Sequence, residues 1–149
     1  MGRIRLVIDS NLSDLSLVTV ATNRICTHLG LGETLAGEME LCVAEVGTNV
    51  IEHAYQGEPG HLLSVAISVE GDALRIEIAD QGCPMSEKTV ARLLHGKKEP
   101  DLEPIDKASI PEGGRGLEII HALTDRIAYV REGDLNRLEL TKCLSSRHS

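Results

Sequence analysis

No tryptophan or phenylalanine occurs in this chain, and tyrosine appears only as Tyr55 and Tyr129. Any core must therefore be assembled from Leu, Ile, Val, Ala and Met, within an apolar share of 42%. The same scarcity removes the stacking platforms on which single-stranded nucleic-acid binding leans. Positive charge is short as well: 15 Lys and Arg against 23 Asp and Glu leave a formal net charge of −8. A phosphate backbone needs a cationic surface, so direct nucleic-acid binding is not expected. An acidic surface leaves open a protein partner, or a nucleotide whose charge is screened by a metal ion. Paired cysteines are missing too, since Cys26, Cys42, Cys83 and Cys143 form no C-x-x-C. Two of them lie in helical patterns on or near apolar faces, and reduced, packed thiols in a reducing cytosol are the simplest reading. No apolar run approaches the length needed to cross a bilayer. The N-terminus carries Arg3, Arg5 and Asp9 where a signal peptide would be apolar. The expectation is a soluble, cytoplasmic protein with no membrane contact.

What is present reads as one domain. The 149 residues suffice for a single core and not for two, expected over 1–144 with a tail at 145–149. Alternation predicts a strand over Arg3 to Asp9, with Ile4, Leu6 and Ile8 on one face. Ser10, Asn11, Ser13 and Asp14 then offer N-caps for a helix carrying Leu15, Val18, Thr22, Ile25 and Leu29, stopped at Gly30 and Gly32. A second helix is predicted from about Glu33 to Tyr55 on a stripe of Leu35, Met39, Cys42, Val46 and Val50. A hairpin follows: Leu63, Val65, Ile67 and Val69, the turn Gly71-Asp72, then Leu74, Ile76 and Ile78 inward. One or two helical turns span Ser86 to Leu94. About 95–113 form a long aperiodic segment containing Pro100, Pro104 and Pro111, which reads as a functional lid or as disorder. A helix from Leu117 to Thr124 and a last hairpin around Glu132-Gly133-Asp134 complete the chain. The order β-α-α-β-β-lid-α-β-β implies an α+β fold: a two-layer α/β sandwich with a mostly antiparallel, mixed sheet and helices on one face.

Three constellations carry candidate chemistry. Glu45, Asn49 and His53 recur at spacings of four along one helix edge. A solvated polar edge would look the same, but the apolar company of Val43, Val46, Val50 and Ile51 argues for partial burial, where a charge needs a partner. A carboxylate beside an amide oxygen is hard-donor chemistry suited to Mg²⁺ shared with phosphates. Asp80 continues the inward row of Leu74, Ile76 and Ile78. Either the strand ends before it and Asp80 caps the turn Gln81-Gly82, or it faces the covered side and accepts a hydrogen bond from a ligand amino group such as that of adenine. Gly82 permits close backbone approach or a positive φ, and Pro84 stiffens the exit. Finally, Gly113-Gly114-Arg115-Gly116 precedes the helix at Leu117. Free N–H groups and the helix dipole could hold an anion there, although a plain hinge would share the composition. It matches neither a Walker A loop nor a dinucleotide fingerprint.

The order of these pieces is more specific than any one of them: E-x-x-x-N on a helix, D-x-G-x-P at a strand end, a long lid, then G-x-G-L. Here the chain resembles the ATPase superfamily of gyrase B, Hsp90, histidine kinases and MutL, with its Bergerat ATP-binding fold. The matching segments are EVGTN (Glu45 to Asn49, continuing VIEHAY), DQGCP (Asp80 to Pro84) and GRGL (Gly114 to Leu117). Within it, the short chain and the run ELCVAEVGTNVIEHAY look most like anti-sigma factor serine/threonine kinases of bacterial partner-switching systems. The resemblance implies ATP/ADP and Mg²⁺ as cofactors. Asn49 would ligate the metal, and Asp80 would bind the adenine amino group, partly through water. Gly82 would shape the adenine pocket, while Gly114 and Gly116 would let the lid and helix wrap the phosphates. His53, Pro84, Arg115 and Leu117 fall in the same nucleotide-binding segments, with no individual phosphate role for Arg115, Lys97 or Lys98. Glu45 would be the general base on an incoming serine or threonine hydroxyl. The implied partners are a sigma factor and an anti-anti-sigma (STAS) protein, and a homodimer is implied as well. Two other readings stay open: a nucleotide-binding regulatory module without phosphotransfer, and a detached histidine-kinase ATPase domain, which would lack its dimerisation hairpin.

Overall fold

The computed structural model describes residues 2–95 and 114–144. The expected tail at 145–149 and, His95 aside, the lid at about 95–113 lie outside the described residues.

Among the described residues five strands form one sheet: β1 (Arg3–Asp9), β2 (Leu62–Glu70), β3 (Ala73–Asp80), β4 (Arg126–Glu132) and β5 (Leu135–Cys143), in spatial order β1-β2-β3-β5-β4. Every pairing is antiparallel, which corrects the expectation of a mixed sheet. The reason lies in the last crossover. β3 and β4 run the same way, but the chain skips one position between them and β5 folds back into the gap. Among the described residues no two parallel strands therefore touch. The inward rows follow the sequence parity: Val65 and Ile67 face Ile78 and Ile76, which face Leu138 and Leu140, all at most 3% exposed. On the opposite face Arg3, Arg75 and Arg137 pair with Glu70, Glu77, Glu132 and Glu139. Exposed pairs of this kind contribute little to stability and keep that face wetted.

The helices α1 (Leu12–His28), α2 (Glu33–Asn49), α3 (Glu87–His95) and α4 (Gly114–Leu123) form the second layer. Asn11 caps α1, its side-chain oxygen accepting from the Asp14 amide at 2.8 Å, as a residue of this type does for an otherwise orphaned N–H. Leu15, Val18, Thr22 and Cys26 then face inward, against Leu35, Met39, Cys42, Val43 and Val46 of α2. Cys26 and Cys42 are packed thiols. Burial lifts Cys26 to about 11 and Cys42 to about 12, with Glu38 adding to the latter. Cys83 and Cys143 are exposed, so the packed reading holds for only two of the four.

The second helix is not continuous. After Asn49 the chain tightens its rise into a π-helical turn over Val50–Ala54, closed by a bond from the Tyr55 amide to the Val50 carbonyl at 2.9 Å. Single π-turns mark functional positions more often than chance. This one is held by Tyr55, whose ring is 6% exposed. Its hydroxyl donates to the Leu62 carbonyl and accepts from the Gln81 amide, both at 2.7 Å, and its ring stacks on His61. Tyr55 thereby ties the end of the π-turn to the start of β2 and to the turn after β3.

Candidate functional site

The π-turn and the turn after β3, together with α2, α3, α4 and the sheet, border a cleft of about 420 Å³. Its floor is apolar, built from Ile78 and Leu138 of the sheet and Val46 and Val50 of the helix. Into it the structure brings Asn49 from the last turn of α2, His53 from the π-turn, Asp80 from the end of β3, Pro84 just beyond, and Leu117 and Ile120 from α4. Segments far apart in sequence thus meet on one cavity of the size and character that small ligands occupy. Three other expected site residues stand behind the walls. Gly82, Gly116 and Glu45 are not among the lining residues, and each has a distinct reason for its place.

Gly82 is where backbone meets backbone. A methyl group there would lie 2.5 Å from the Ala54 carbonyl oxygen and 2.7 Å from its carbon, and neither can move without dismantling the π-turn. The Cys83 amide bonds that same carbonyl at 2.9 Å. Of the two uses open to this glycine, close approach is the one realised; it is absent from the positive-φ positions. Its effect on the cavity is to clamp the turn after β3 to the π-turn.

Gly116 belongs to the first turn of α4, which begins at Gly114 and not at Leu117 as the sequence suggested. A Cβ on Gly116 would sit 2.6 Å from Glu45 Oε1. This glycine thus makes room for the Glu45 carboxylate between α2 and α4. Glu45 itself lies one turn before Asn49 on the same side of α2. The side chain of Arg115 lies outside the described residues, as do Lys97, Lys98 and Gly113.

Asp80 reaches the helix-covered face, as parity indicated, and the strand does not end before it. It pairs with Leu63 on one side and Asn136 on the other and is 7% exposed. Its Oδ1 accepts from the Gly82 amide at 2.8 Å and from Asn136 Nδ2 at 2.9 Å. Burial pushes its carboxyl above the usual range, while Asn136, the Gly82 amide and Arg131 each pull it back. The result is a carboxylate whose ionised form is costly and partly compensated.

Sequence reasoning overlooked Asn136, Arg131 and the cleft-lining side chains of Thr89, Arg92 and Tyr129. For Asn136 a signal existed: it sits two residues before Leu138 on the inward row of β5, a polar residue in an apolar row. What the sequence did not reveal was that β5 would pair with β3 so as to set it opposite Asp80.

The donor set suits Mg²⁺ bound in the usual way for a nucleotide. Asn49 supplies one neutral hard oxygen at the cleft, and magnesium takes one or two protein oxygens with the rest from phosphates and water. Among the described residues no cluster of three or more His, Cys, Asp or Glu could hold a metal alone, so the ion would arrive with phosphates. No helix among the described residues is long and apolar enough to cross a membrane.

Known proteins share the family and the fold. A model of the histidine kinase-like ATPase domain matches residues 8–142. Curated relatives include a serine-protein kinase RsbW of Bacillus mycoides (strain KBAB4), 24% identical over 132 residues that cover 87% of this chain and 78% of the relative. The serine-protein kinase RsbW of Bacillus pumilus (strain SAFR-032) is 27% identical over 117 residues, 74% of this chain and 67% of that one. Among solved structures, the SiaB–SiaC complex from Pseudomonas aeruginosa superposes with a TM-score of 0.65 at 16% identity, covering 91% of this chain and 88% of that chain. The RsbU and RsbW domains of a Mycobacterium tuberculosis protein give 0.64 at 14% identity, covering 97% of this chain. This chain corresponds to about a third of that longer one, 33%.

Proposed function

From the histidine kinase-like ATPase domain family, to which this chain belongs, we propose a specific activity: ATP-dependent protein serine/threonine kinase and anti-sigma factor in a partner-switching system. Its substrate would be a STAS-type anti-anti-sigma protein, its alternate partner a sigma factor, and its working form a homodimer in the cytoplasm. The observation that carries the reading is the meeting of Asn49, Asp80 and Leu117 on one apolar cleft, with Glu45 one helical turn from Asn49. Relatives named as serine-protein kinases support it.

In this reading the adenine enters the apolar floor, and Asp80 accepts a hydrogen bond from its amino group. Mg²⁺, held by Asn49 and the phosphates, would neutralise phosphate charge. The Gly114–Gly116 turn, which begins α4, would offer its free amides to the phosphates. Phosphoryl transfer is chiefly positioning and charge neutralisation, so the protein's remaining task is to orient the attacking hydroxyl. Glu45 would accept that proton as the hydroxyl oxygen bonds to the γ-phosphorus and ADP leaves.

One observation favours the alternative, a nucleotide-sensing module without transfer: the Glu45 carboxylate packs on Gly116 and does not stand on the cleft wall. Incubation with γ-labelled ATP, Mg²⁺ and a panel of STAS proteins separates the two. Kinase activity predicts label on a serine or threonine of one of them. Saturable ATP binding with every partner unlabelled would favour the sensing module.

A further inference from the structure

Asn136 is 1% exposed on the inward face of β5, in a row otherwise held by Leu138 and Leu140. A buried amide costs stability unless each polar atom is satisfied, so an apolar side chain would serve packing better. All of its polar atoms are spent around the turn after β3. Nδ2 donates to Asp80 Oδ1 at 2.9 Å and to the Gly82 carbonyl at 3.0 Å. Its Oδ1 accepts from Arg131 Nη1 at 2.7 Å, and Arg131 lies directly opposite it in the β4–β5 ladder. This fixes which way the amide points. Turned over, its carbonyl would confront the Asp80 carboxylate and the Gly82 carbonyl, and its amino group would confront a guanidinium.

The consequence falls on Asp80. With the Gly82 amide and Asn136 both on Oδ1, no described protein group donates to Oδ2. We propose that Asn136, oriented by Arg131, is a positioning residue for nucleotide selection: it commits one oxygen of Asp80 to the protein and presents the other as a pure acceptor to the 6-amino group of the purine. The inference rests on the reading of the cleft as an adenine-nucleotide site. An acceptor in that position favours a 6-amino over a 6-oxo purine, because a carboxylate set against a carbonyl oxygen leaves both unpaired.

The test compares ATP and ITP binding, with Mg²⁺, to the wild type and to Asn136→Leu and Arg131→Met, alongside thermal melts. Arg131 is exposed on an edge strand, so its replacement leaves the core untouched and decides the matter should Asn136→Leu fail to fold. Loss of the Asn136 bonds is expected to weaken ATP about 10- to 100-fold while ITP changes little, collapsing the preference. Arg131→Met is expected to lower the ATP:ITP ratio in the same direction by about 3- to 10-fold. Folded variants that keep the wild-type ratio would overturn the inference, as would equal losses for both nucleotides, which signify a structural role only. A wild type that binds neither nucleotide overturns the adenine reading itself, and the inference with it.

Discussion

Asp80→Asn is expected to abolish ATP binding while making the nucleotide-free protein more stable. Both effects come from the same burial. The Asp80 carboxyl is held above its usual range chiefly because it is removed from water. A group whose folded-state proton affinity is raised contributes stability that is present below its unfolded value and lost as pH climbs through the folded one. At neutral pH the ionised carboxylate is therefore a net cost, and a neutral amide of the same shape removes it. A gain of about 1 kcal/mol would lift Tm by roughly 2–4 °C. As pH falls from neutral towards the ordinary carboxylate range, Asp80 of the folded wild type takes up its proton early and the gap between the two proteins should close.

The binding loss follows from donor counting. The new amide can keep the bonds from the Gly82 N–H and Asn136 Nδ2 only with its oxygen turned towards them. Its own NH₂ then meets the amino group of the base, donor against donor. Turned the other way, it sets its NH₂ against two protein donors. Either arrangement loses a charge-assisted bond and strands a buried group, together costing about 100-fold or more in affinity. Calorimetric titration and melting curves of the two proteins check both halves. Unchanged ATP affinity would refute the adenine role of Asp80.

Glu45→Ala should behave in the opposite way. ATP affinity is expected to stay within a few-fold, because the cleft is lined without it, while the single-turnover rate of transfer to a protein hydroxyl falls by about 10²-fold or more. The fold should tolerate the change, since Glu45 is only half-buried and its carboxylate rests on Gly116, where the substitution leaves space and not a clash. A transfer rate that survives the substitution would assign proton removal elsewhere and reduce Glu45 to a contact between α2 and α4.

Much of this architecture could be read from the residues because local rules and the fold agree. The alternation in β2 and β3, the Gly71 turn with φ 59° and the Asn11 cap each depend only on neighbours in sequence. The inward direction of Asp80 followed from parity alone. What escaped the sequence depended on distant partners. The π-turn over Val50–Ala54 uses residues that suit an α-helix equally well, and Tyr55 and the Gly82 contact lie among the partners that hold it. The early start of α4 is hidden because glycine reads as a helix breaker, although here its lack of a side chain is what lets the helix close on Glu45. The lone Asn in the inward row of β5 was visible, but its purpose needed the register that sets it against Asp80, 56 residues away.

The proposed activity requires one cavity to accept a whole adenosine triphosphate. Equilibrium dialysis of the purified protein against labelled ATP, with and without Mg²⁺, asks that directly. The expected result is saturation at one nucleotide per chain, strengthened by the metal and competed by ADP. Failure of any adenine nucleotide to reach saturation at millimolar concentration with magnesium present would contradict it.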